Sequence, residues 1–256
     1  MKAASEVPVK GSSRQFFLLV TLLSLPFWLA NKFVDLQFAP GVPFSALAVL
    51  CPVAAASILV YRNAGRRGVA ALWKRAFDCR RIRPRYWFLP ILLLMPLATA
   101  ATFLIIAVSD RPPSPPALHI PVAIMMLVVF FIAAECEELG WTGYATDVLQ
   151  ARHSALATSL VLGLATAAWH WIPLVQVGRS LEWIAWWTLW VVAIRFIIVW
   201  IYNNAGMSVF AAALFHATTN VASLTFHTYF DPRITGIVLA AIAAVAVLLP
   251  MRAGRA

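Results

Sequence analysis

The sequence predicts an all-α polytopic membrane protein with eight transmembrane helices around a polar intramembrane cavity. Three observations support this fold class: 62% of the 256 residues are hydrophobic, only 12% are charged, and the apolar residues gather in long runs. A soluble globular domain is about half apolar and about a quarter charged. The composition therefore argues against a soluble enzyme, a disordered chain and a nucleic-acid-binding domain.

Each apolar run is long enough to cross a bilayer core about 30 Å thick, because an α-helix rises about 1.5 Å per residue. The eight runs are roughly 16–33, 44–61, 87–109, 119–138, 154–175, 182–202, 207–226 and 234–250. No small-residue cleavage site follows the first run, so we expect a retained anchor helix. Without repeats or low-complexity linkers, we predict one transmembrane domain over residues 16–250. Cytoplasmic tails of residues 1–15 and 251–256 flank it.

The basic residues lie between the apolar runs and predict the orientation of the chain. If the N-terminus is inside, fifteen of the 20 Lys and Arg residues fall in inside segments and four in outside segments, and Arg195 lies within the sixth run. The positive-inside rule then predicts a multi-pass cell membrane protein with both termini in the cytoplasm. The net charge of +10 is spread between the runs, so no nucleic-acid partner is expected.

Nine of the basic residues fall between Arg62 and Arg85, which we call the basic segment. Apolar residues, among them Trp73 and Phe77, are interleaved with them. Basic and aromatic residues in such a mixture favour the surface of an anionic leaflet. We therefore expect residues 62–85 to lie on the inner leaflet; an RNA-binding loop is the alternative.

The fourth run ends in three carboxylates within four residues: Glu135, Glu137 and Glu138. Three such groups cannot all stay ionised at low cost in a low-dielectric site. One of them is then suited to accept a proton near neutral pH, as a general base does. The alternative is that the helix simply ends at the cytoplasmic interface, where its acids are hydrated.

Three further runs carry polar residues at membrane depth. His170 lies inside the fifth run, and His216 and Asn220 lie four residues apart on one face of the seventh. An imidazole and an amide can both donate to a developing oxyanion, although hydrogen bonding between helices is the plainer interpretation. Arg195 in the sixth run needs a counter-charge, and we expect it to pair with the Glu135/Glu137/Glu138 cluster.

The combination of paired carboxylates, two histidines and an asparagine on three helices indicates activation of water with stabilisation of an oxyanion, which is hydrolysis inside a membrane. The sequence contains no HExxH zinc motif, no GxGD pair and no GxS nucleophile placed opposite a histidine. A serine or cysteine nucleophile therefore has no support.

The letters EELGWTGY that begin at Glu137 resemble the first motif of the CPBP (ABI) family of intramembrane proteases, EExxxR. This family includes the type II CAAX prenyl endopeptidases. His170 matches the histidine of the second motif, and His216 with Asn220 matches the HxxxN of the third. The resemblance covers about residues 133–223, the expected motif core.

Two residues depart from the family pattern. Thr142 stands where the first motif usually has arginine, and Thr166 stands where the second has phenylalanine. Arg195 is a candidate to supply the missing cation from another helix, so Arg195, Thr142 and the neighbouring Trp141 are expected to support the site. The alternative is a protein altered in substrate or weak in catalysis.

The resemblance implies a glutamate-type mechanism. Glu137 would act as general base on a water that His170 holds, His216 and Asn220 would stabilise the oxyanion, and Glu138 would be a supporting acid. No metal is needed in this interpretation, which we favour. The alternative is a zinc site made by Glu137, His170 and His216 with one open position.

The depth of two residues poses a difficulty. Upright helices with the predicted ends would place Glu137 and His170 near opposite faces of the bilayer. A fourth helix that continues past Trp141 to about Gln150 would bring Glu137 nearer to mid-depth. We then expect a water-filled cavity between helices four, five and seven.

The leading hypothesis is an intramembrane endopeptidase that acts on a peptide or membrane-protein substrate. A zinc-dependent version of the same protease is one alternative. Another, motivated by Thr142, is a non-catalytic immunity or scaffold protein that binds a peptide. A small-solute transporter has less support because no inverted repeat is visible.

Overall fold

The structure is a computed structural model that describes residues 11–33, 37–39, 42–108, 120–225 and 231–248. The predicted tail at 251–256 and residues 1–10 of the other tail lie outside the described residues, as do the predicted ends of several runs. The described part of the chain contains eight long helices, one for each predicted run. They are α1 (Ser13–Phe33), α2 (Cys51–Lys74), α3 (Phe88–Ala107), α4 (Ile120–Gln150), α5 (Ala155–Gln176), α6 (Leu181–Asn204), α7 (Val209–Thr225) and α8 (Pro232–Leu248).

The all-α membrane fold is confirmed. Six of the helices, α1 to α6, are long and apolar enough to cross a membrane, and α7 and α8 have 17 residues each. Large apolar side chains cover the outside of the bundle, for example Leu97 and Ile132, which are 67% and 62% exposed. Such a surface requires lipid, because soluble proteins rarely expose large contiguous apolar areas. The chain is therefore an integral membrane protein.

Two connections between helices contain regular structure of their own. Strand β1 (Gln37–Ala39) pairs antiparallel with β2 (Val42–Pro43), and a 3-10 turn at Phe44–Leu50 leads into α2. Three further 3-10 turns join α2 to α3 within the basic segment: Arg75–Phe77, Cys79–Arg81 and Arg85–Trp87. The basic segment is thus largely helical and partly packed against the bundle.

Helix α4 changes its geometry part of the way along. Residues Ile120–Gly140 are α-helical, Trp141–Thr146 form a π-helical turn, and Asp147–Gln150 return to α-helix. The hydroxyl of Thr146 donates to the carbonyl of Trp141, five residues earlier, at 3.0 Å. The predicted continuation to about Gln150 is therefore confirmed, and it places Glu137 near the middle of the helix.

Helix α6 is the central helix of the bundle. In its most apolar window 61% of the residues are buried, against 44% or less in each of the other five spans. It packs against α5, α7 and α8. A polar residue in the middle of α6 therefore faces protein rather than lipid, which is the position of Arg195.

Helices α2 and α4 approach each other closely at Gly140. A Cβ atom at that position would lie only 2.5 Å from the backbone carbonyl of Pro52. The two backbones can touch there only because glycine has no side chain. This contact fixes the spacing of α2 and α4 two residues after Glu138.

Candidate functional site

Glu138 is the centre of the site, and its side chain is completely buried. Arg195 from α6 donates to both carboxylate oxygens, from Nη1 to Oε2 at 2.8 Å and from Nη2 to Oε1 at 3.2 Å. The Thr142 hydroxyl donates to Oε2 at 2.5 Å, and Nδ1 of His216 lies 2.9 Å from Oε1. The predicted pairing of Arg195 with the acidic cluster is confirmed, and Glu138 is the acid that it selects.

These contacts explain how α4 tolerates a charge at membrane depth. A buried carboxylate is costly unless it is paired and its lone pairs are satisfied, and a two-nitrogen arginine contact does both. Thr142 lies one turn after Glu138, where its short hydroxyl also approaches Arg195 at 3.5 Å. The cation that the resemblance places at position 142 is here supplied from α6.

Glu137, next to Glu138, is also buried but is bonded differently. It is 8% exposed, and its Oε2 atom has no hydrogen-bond partner among the described residues. The carboxylate is near enough to His170 and His216 to interact electrostatically with both. One oxygen of Glu137 is thus unbonded among the described residues, within electrostatic range of two imidazoles.

His170 is held in one orientation by its own helix. Its Nδ1 atom lies 2.8 Å from the carbonyl oxygen of Thr166, one turn earlier on α5. Since a carbonyl only accepts, Nδ1 carries the hydrogen, and Nε2 of the neutral ring has a free lone pair. The rings of Trp169 and Trp187 contact the imidazole, with centroids at 4.6 and 5.2 Å.

His216 extends from α7 toward Glu138. Because Glu138 is an ionised acceptor already bonded to Arg195, Nδ1 of His216 must be the donor in their 2.9 Å contact. Asn220 follows one turn later on α7 and is half-buried. Within the described part of the chain, no hydrogen bond joins Asn220 to the other predicted site residues.

The start of α7 is fixed by Asp78 from the basic segment. Asp78 Oδ1 accepts from the Ser208 hydroxyl at 2.6 Å and from the Phe210 backbone N–H at 3.3 Å. Burial raises the pKa of Asp78, and these hydrogen bonds together with the nearby Arg75 and Arg81 offset part of that effect. The contact anchors the helix that carries His216.

The Trp141 side chain packs between neighbouring helices. It is buried and contacts Phe16 of α1 edge-on at 5.3 Å and Trp169 of α5 at 6.0 Å. It thereby links α4 to α1 and α5. That Trp141 supports the site stays a prediction; what the structure shows is that its side chain packs against its neighbours.

The third acid of the cluster, Glu135, lies outside the charge pair. It is 8% exposed, and neither of its carboxylate oxygens has a hydrogen-bond partner in the described residues. Its electrostatic neighbours include Asp78 and Glu138. The sequence pattern treats the three acids alike, whereas packing gives each a different environment.

The zinc alternative can be tested against the positions of the donors. Among the described residues, no three His, Cys, Asp or Glu side chains are grouped closely enough to hold a metal ion. Nδ1 of His170 and Nδ1 of His216 are both engaged with the protein, which leaves Nε2 as the ring atom of each that could bind a metal. The predicted set of Glu137, His170 and His216 does not form a ligand group in this arrangement.

The prediction for the basic segment needs one correction. It groups Arg75 with the residues on the lipid surface, but Arg75 is largely buried and forms an ion pair with Asp147 at 2.7 Å. Leu72 and Ile82 are buried too, whereas Trp73 and Phe77 are exposed. Nothing in the sequence separates Arg75 from the other basic residues, since its partners lie on distant helices.

Comparison with known proteins gives two findings. Residues 119–222 match the family model described as Rce1-like: Type II CAAX prenyl endopeptidase Rce1-like. A relative from Methanococcus maripaludis named CAAX prenyl protease 2 is 30% identical over 131 residues, which cover 47% of this chain and 48% of the relative. The match to the relative thus spans about half of its length. The segment that matches the family model contains Glu137, His170, His216 and Asn220.

Proposed function

We propose that this chain, whose similarity to the CPBP family of intramembrane proteases is confirmed by both matches, is an intramembrane endopeptidase. Its substrate would be a peptide or a membrane protein that enters the site from the bilayer or the cytoplasm. One observation carries the proposal: the buried Glu137 has an unbonded oxygen and interacts electrostatically with two imidazoles that come from two other helices.

The first step is the activation of water. Glu137 Oε2 and Nε2 of His170 are both acceptors, and together they can bind the two hydrogens of one water molecule. As the water oxygen attacks the scissile carbonyl, its proton passes to Glu137. The carbonyl π bond breaks and leaves a negatively charged oxygen on the tetrahedral intermediate. The intermediate collapses when the C–N bond breaks and Glu137 returns the proton to the leaving amine.

The oxyanion is stabilised from α7. Because Nδ1 of His216 donates to Glu138, Nε2 donates to substrate only when the ring is an imidazolium, a form that the Glu138 carboxylate favours. The Asn220 amide is the second donor, one helical turn away. Loss of one such donor lowers kcat by about 10² to 10³-fold in comparable hydrolases.

Glu138 and Arg195 prepare the site without taking up the proton. Glu138 already accepts from Arg195, Thr142 and His216, so its lone pairs are engaged. This leaves Glu137 as the general base and makes Glu138 the group that orients His216. We propose the assignment of Glu137 rather than Glu138 on this difference in bonding.

We propose a mechanism with no step through a metal. We expect purified protein to keep its activity after treatment with a chelator. Loss of activity on chelation, with recovery when zinc is restored, would assign the protein to the metalloproteases. Measurement of metal content by mass spectrometry accompanies this assay.

The test of function compares membranes from cells with the wild type, Glu137→Gln and Glu182→Gln. Glu182 is exposed at the start of α6, so Glu182→Gln is a control that removes a charge outside the site. We expect peptide termini that occur in the wild type and the control to be lost in Glu137→Gln at equal expression. The same termini in all three strains would refute proteolysis. A prenylated CAAX peptide, the class in the relative's name, is the first defined substrate to assay with purified protein.

A further inference from the structure

Arg75 makes a connected set of contacts that join the basic segment to α4 and α6. Its Nη1 atom donates to the Gly143 carbonyl at 2.6 Å and to Asp147 Oδ2 at 2.7 Å. Its Nη2 atom donates to the Tyr202 hydroxyl, which in turn donates to Asp147 Oδ1 at 2.6 Å. The guanidinium therefore binds a backbone carbonyl within the π-helical turn of α4 and the side chain just after it.

The contacts of Arg75 with α4 fall in the π-helical turn and immediately after it. Gly143 lies inside the π-helical turn Trp141–Thr146, and Asp147 is the first residue after it. In a π-helix the hydrogen bonds run from i to i+5, a less common geometry than that of the α-helix. An arginine that binds the carbonyl within the turn and the carboxylate just beyond it stabilises this geometry directly.

The π-helical turn sets the direction of the two acids that bind α6. An unbroken α-helix turns about 100° per residue, so Glu138 and Asp147, nine residues apart, would point to about opposite sides. One additional residue taken up in a π turn reduces this angle to about 80°. Their partners Arg195 and Tyr202 are seven residues apart on α6, almost on one face. Both acids can therefore reach α6 only with the π turn in place.

We propose that Arg75 is a positioning residue, which locks the π-helical turn of α4 and so holds Glu137 and Glu138 at the angle that the site requires. The inference rests on the proposed function for its catalytic part, whereas its structural part is independent. If Arg75 is removed, the Gly143 carbonyl loses its side-chain donor, and of the two side chains that bind the Asp147 carboxylate in the described part of the chain, Tyr202 stays. A return of the turn to α-helix would rotate the two halves of α4 against each other by about 100°.

The experiment compares Arg75→Ala with Lys74→Ala, a matched control that removes one positive charge from the exposed neighbouring position. Hydrogen exchange measured by mass spectrometry over residues 141–150 reports the turn, and kcat and KM report the site. We expect faster exchange and a fall in kcat of about 10- to 100-fold for Arg75→Ala, with KM changed less than about twofold. Arg75→Lys should recover only part of kcat, because an ammonium lacks the two-nitrogen fork.

The two arms separate the possible failures. Exchange and kcat equal to those of Lys74→Ala would overturn the proposal. If the wild type shows no proteolysis, the proposed function fails. The hydrogen-exchange measurement still decides whether Arg75 holds the π-helical turn. If Arg75→Ala does not fold, Tyr202→Phe serves instead, since it removes the shared hydroxyl but keeps the ring. It should shift exchange and kcat in the same direction, and no shift in either would overturn the proposal.

Discussion

The contacts of some residues at this site can be predicted from the sequence, and those of others cannot. The pairing of Arg195 with an acid of the cluster is predictable, because an unpaired charge in a bilayer is costly. The choice of Glu138 is not, since consecutive positions on α4 point in different directions and only the packing of α6 selects one. The resemblance marks Glu137, His170 and His216, and in the structure Glu137 interacts electrostatically with both histidines.

Removal of the Arg195 side chain should destabilise the folded protein. In Arg195→Ala the Glu138 carboxylate stays buried without its arginine partner, and breaking a buried ion pair in this way costs about 3–5 kcal/mol. We expect a corresponding loss of unfolding free energy in detergent, measured by denaturant titration. Arg179→Ala, which changes an exposed arginine, should have little effect.

A double variant separates the stability of this pair from its chemistry. Arg195→Met combined with Glu138→Gln removes both charges, so most of the stability should return. Activity should stay lost, because the neutral amide that replaces the Glu138 carboxylate no longer favours the imidazolium form of His216. Stability of Arg195→Ala equal to that of the wild type would contradict the buried pair.

At the scale of elements, the helices are predictable and their internal geometry is not. Apolar runs are local, and each of the eight corresponds to a helix. Most ends are shifted by a few residues, but α2 continues to Lys74 and α4 to Gln150, well past the ends of their runs at 61 and 138. The continuation of α4 to Gln150 follows from a depth argument. The π-helical turn does not, because it depends on Arg75, Asp147 and Tyr202, which are far apart in the sequence and meet only in the folded chain.

The contact between α2 and α4 gives a prediction for Gly140. In Gly140→Ala the new Cβ would meet the Pro52 backbone at 2.5 Å, so the helices must separate. We expect a loss of about 1–3 kcal/mol, despite the better helix propensity of alanine, together with lower activity, because Glu138 is two residues away. Thermal unfolding in detergent measures the effect.

Gly143→Ala is the matched control on the same helix. A Cβ there would lie 3.4 Å from side-chain atoms of Leu72 and Val209, with no backbone closer than 3.6 Å. This is ordinary contact, so the substitution should be neutral or slightly stabilising. Equal effects of the two alanines would mean that the close approach of α2 and α4 does not limit stability.

For the whole molecule, the orientation in the membrane stays a prediction from the positive-inside rule. It has a simple test because Cys79, in the basic segment, is exposed, whereas Cys51 is buried. A membrane-impermeant maleimide should label Cys79 in inverted vesicles and not in right-side-out vesicles. Labelling of Cys79 in right-side-out vesicles and not in inverted vesicles would mean that the true topology is the opposite of the proposed one. In Cys79→Ser, the labelling that remains is the background from Cys136.

The whole fold also explains why the basic segment is only partly understood from sequence. Charge counting treats nine basic residues as one surface, and seven of them are exposed as expected: Arg62, Arg66, Arg67, Lys74, Arg80, Arg83 and Arg85. Arg75 is an exception, since it binds α4 and α6. The charge composition of a segment does not distinguish one basic residue from another, whereas a site can depend on the single basic side chain that the fold buries.

The order of the charged helices along the chain bears on how the protein enters the membrane. Glu138 precedes its partner Arg195 by 57 residues, so α4 is synthesised and available before α6 leaves the ribosome. An arginine on a helix that inserts alone would face hydrocarbon at a cost of several kcal/mol. Here the acid is already in place to receive it. The most buried helix of the bundle can therefore carry a cation through biogenesis without a long exposure of that charge to lipid.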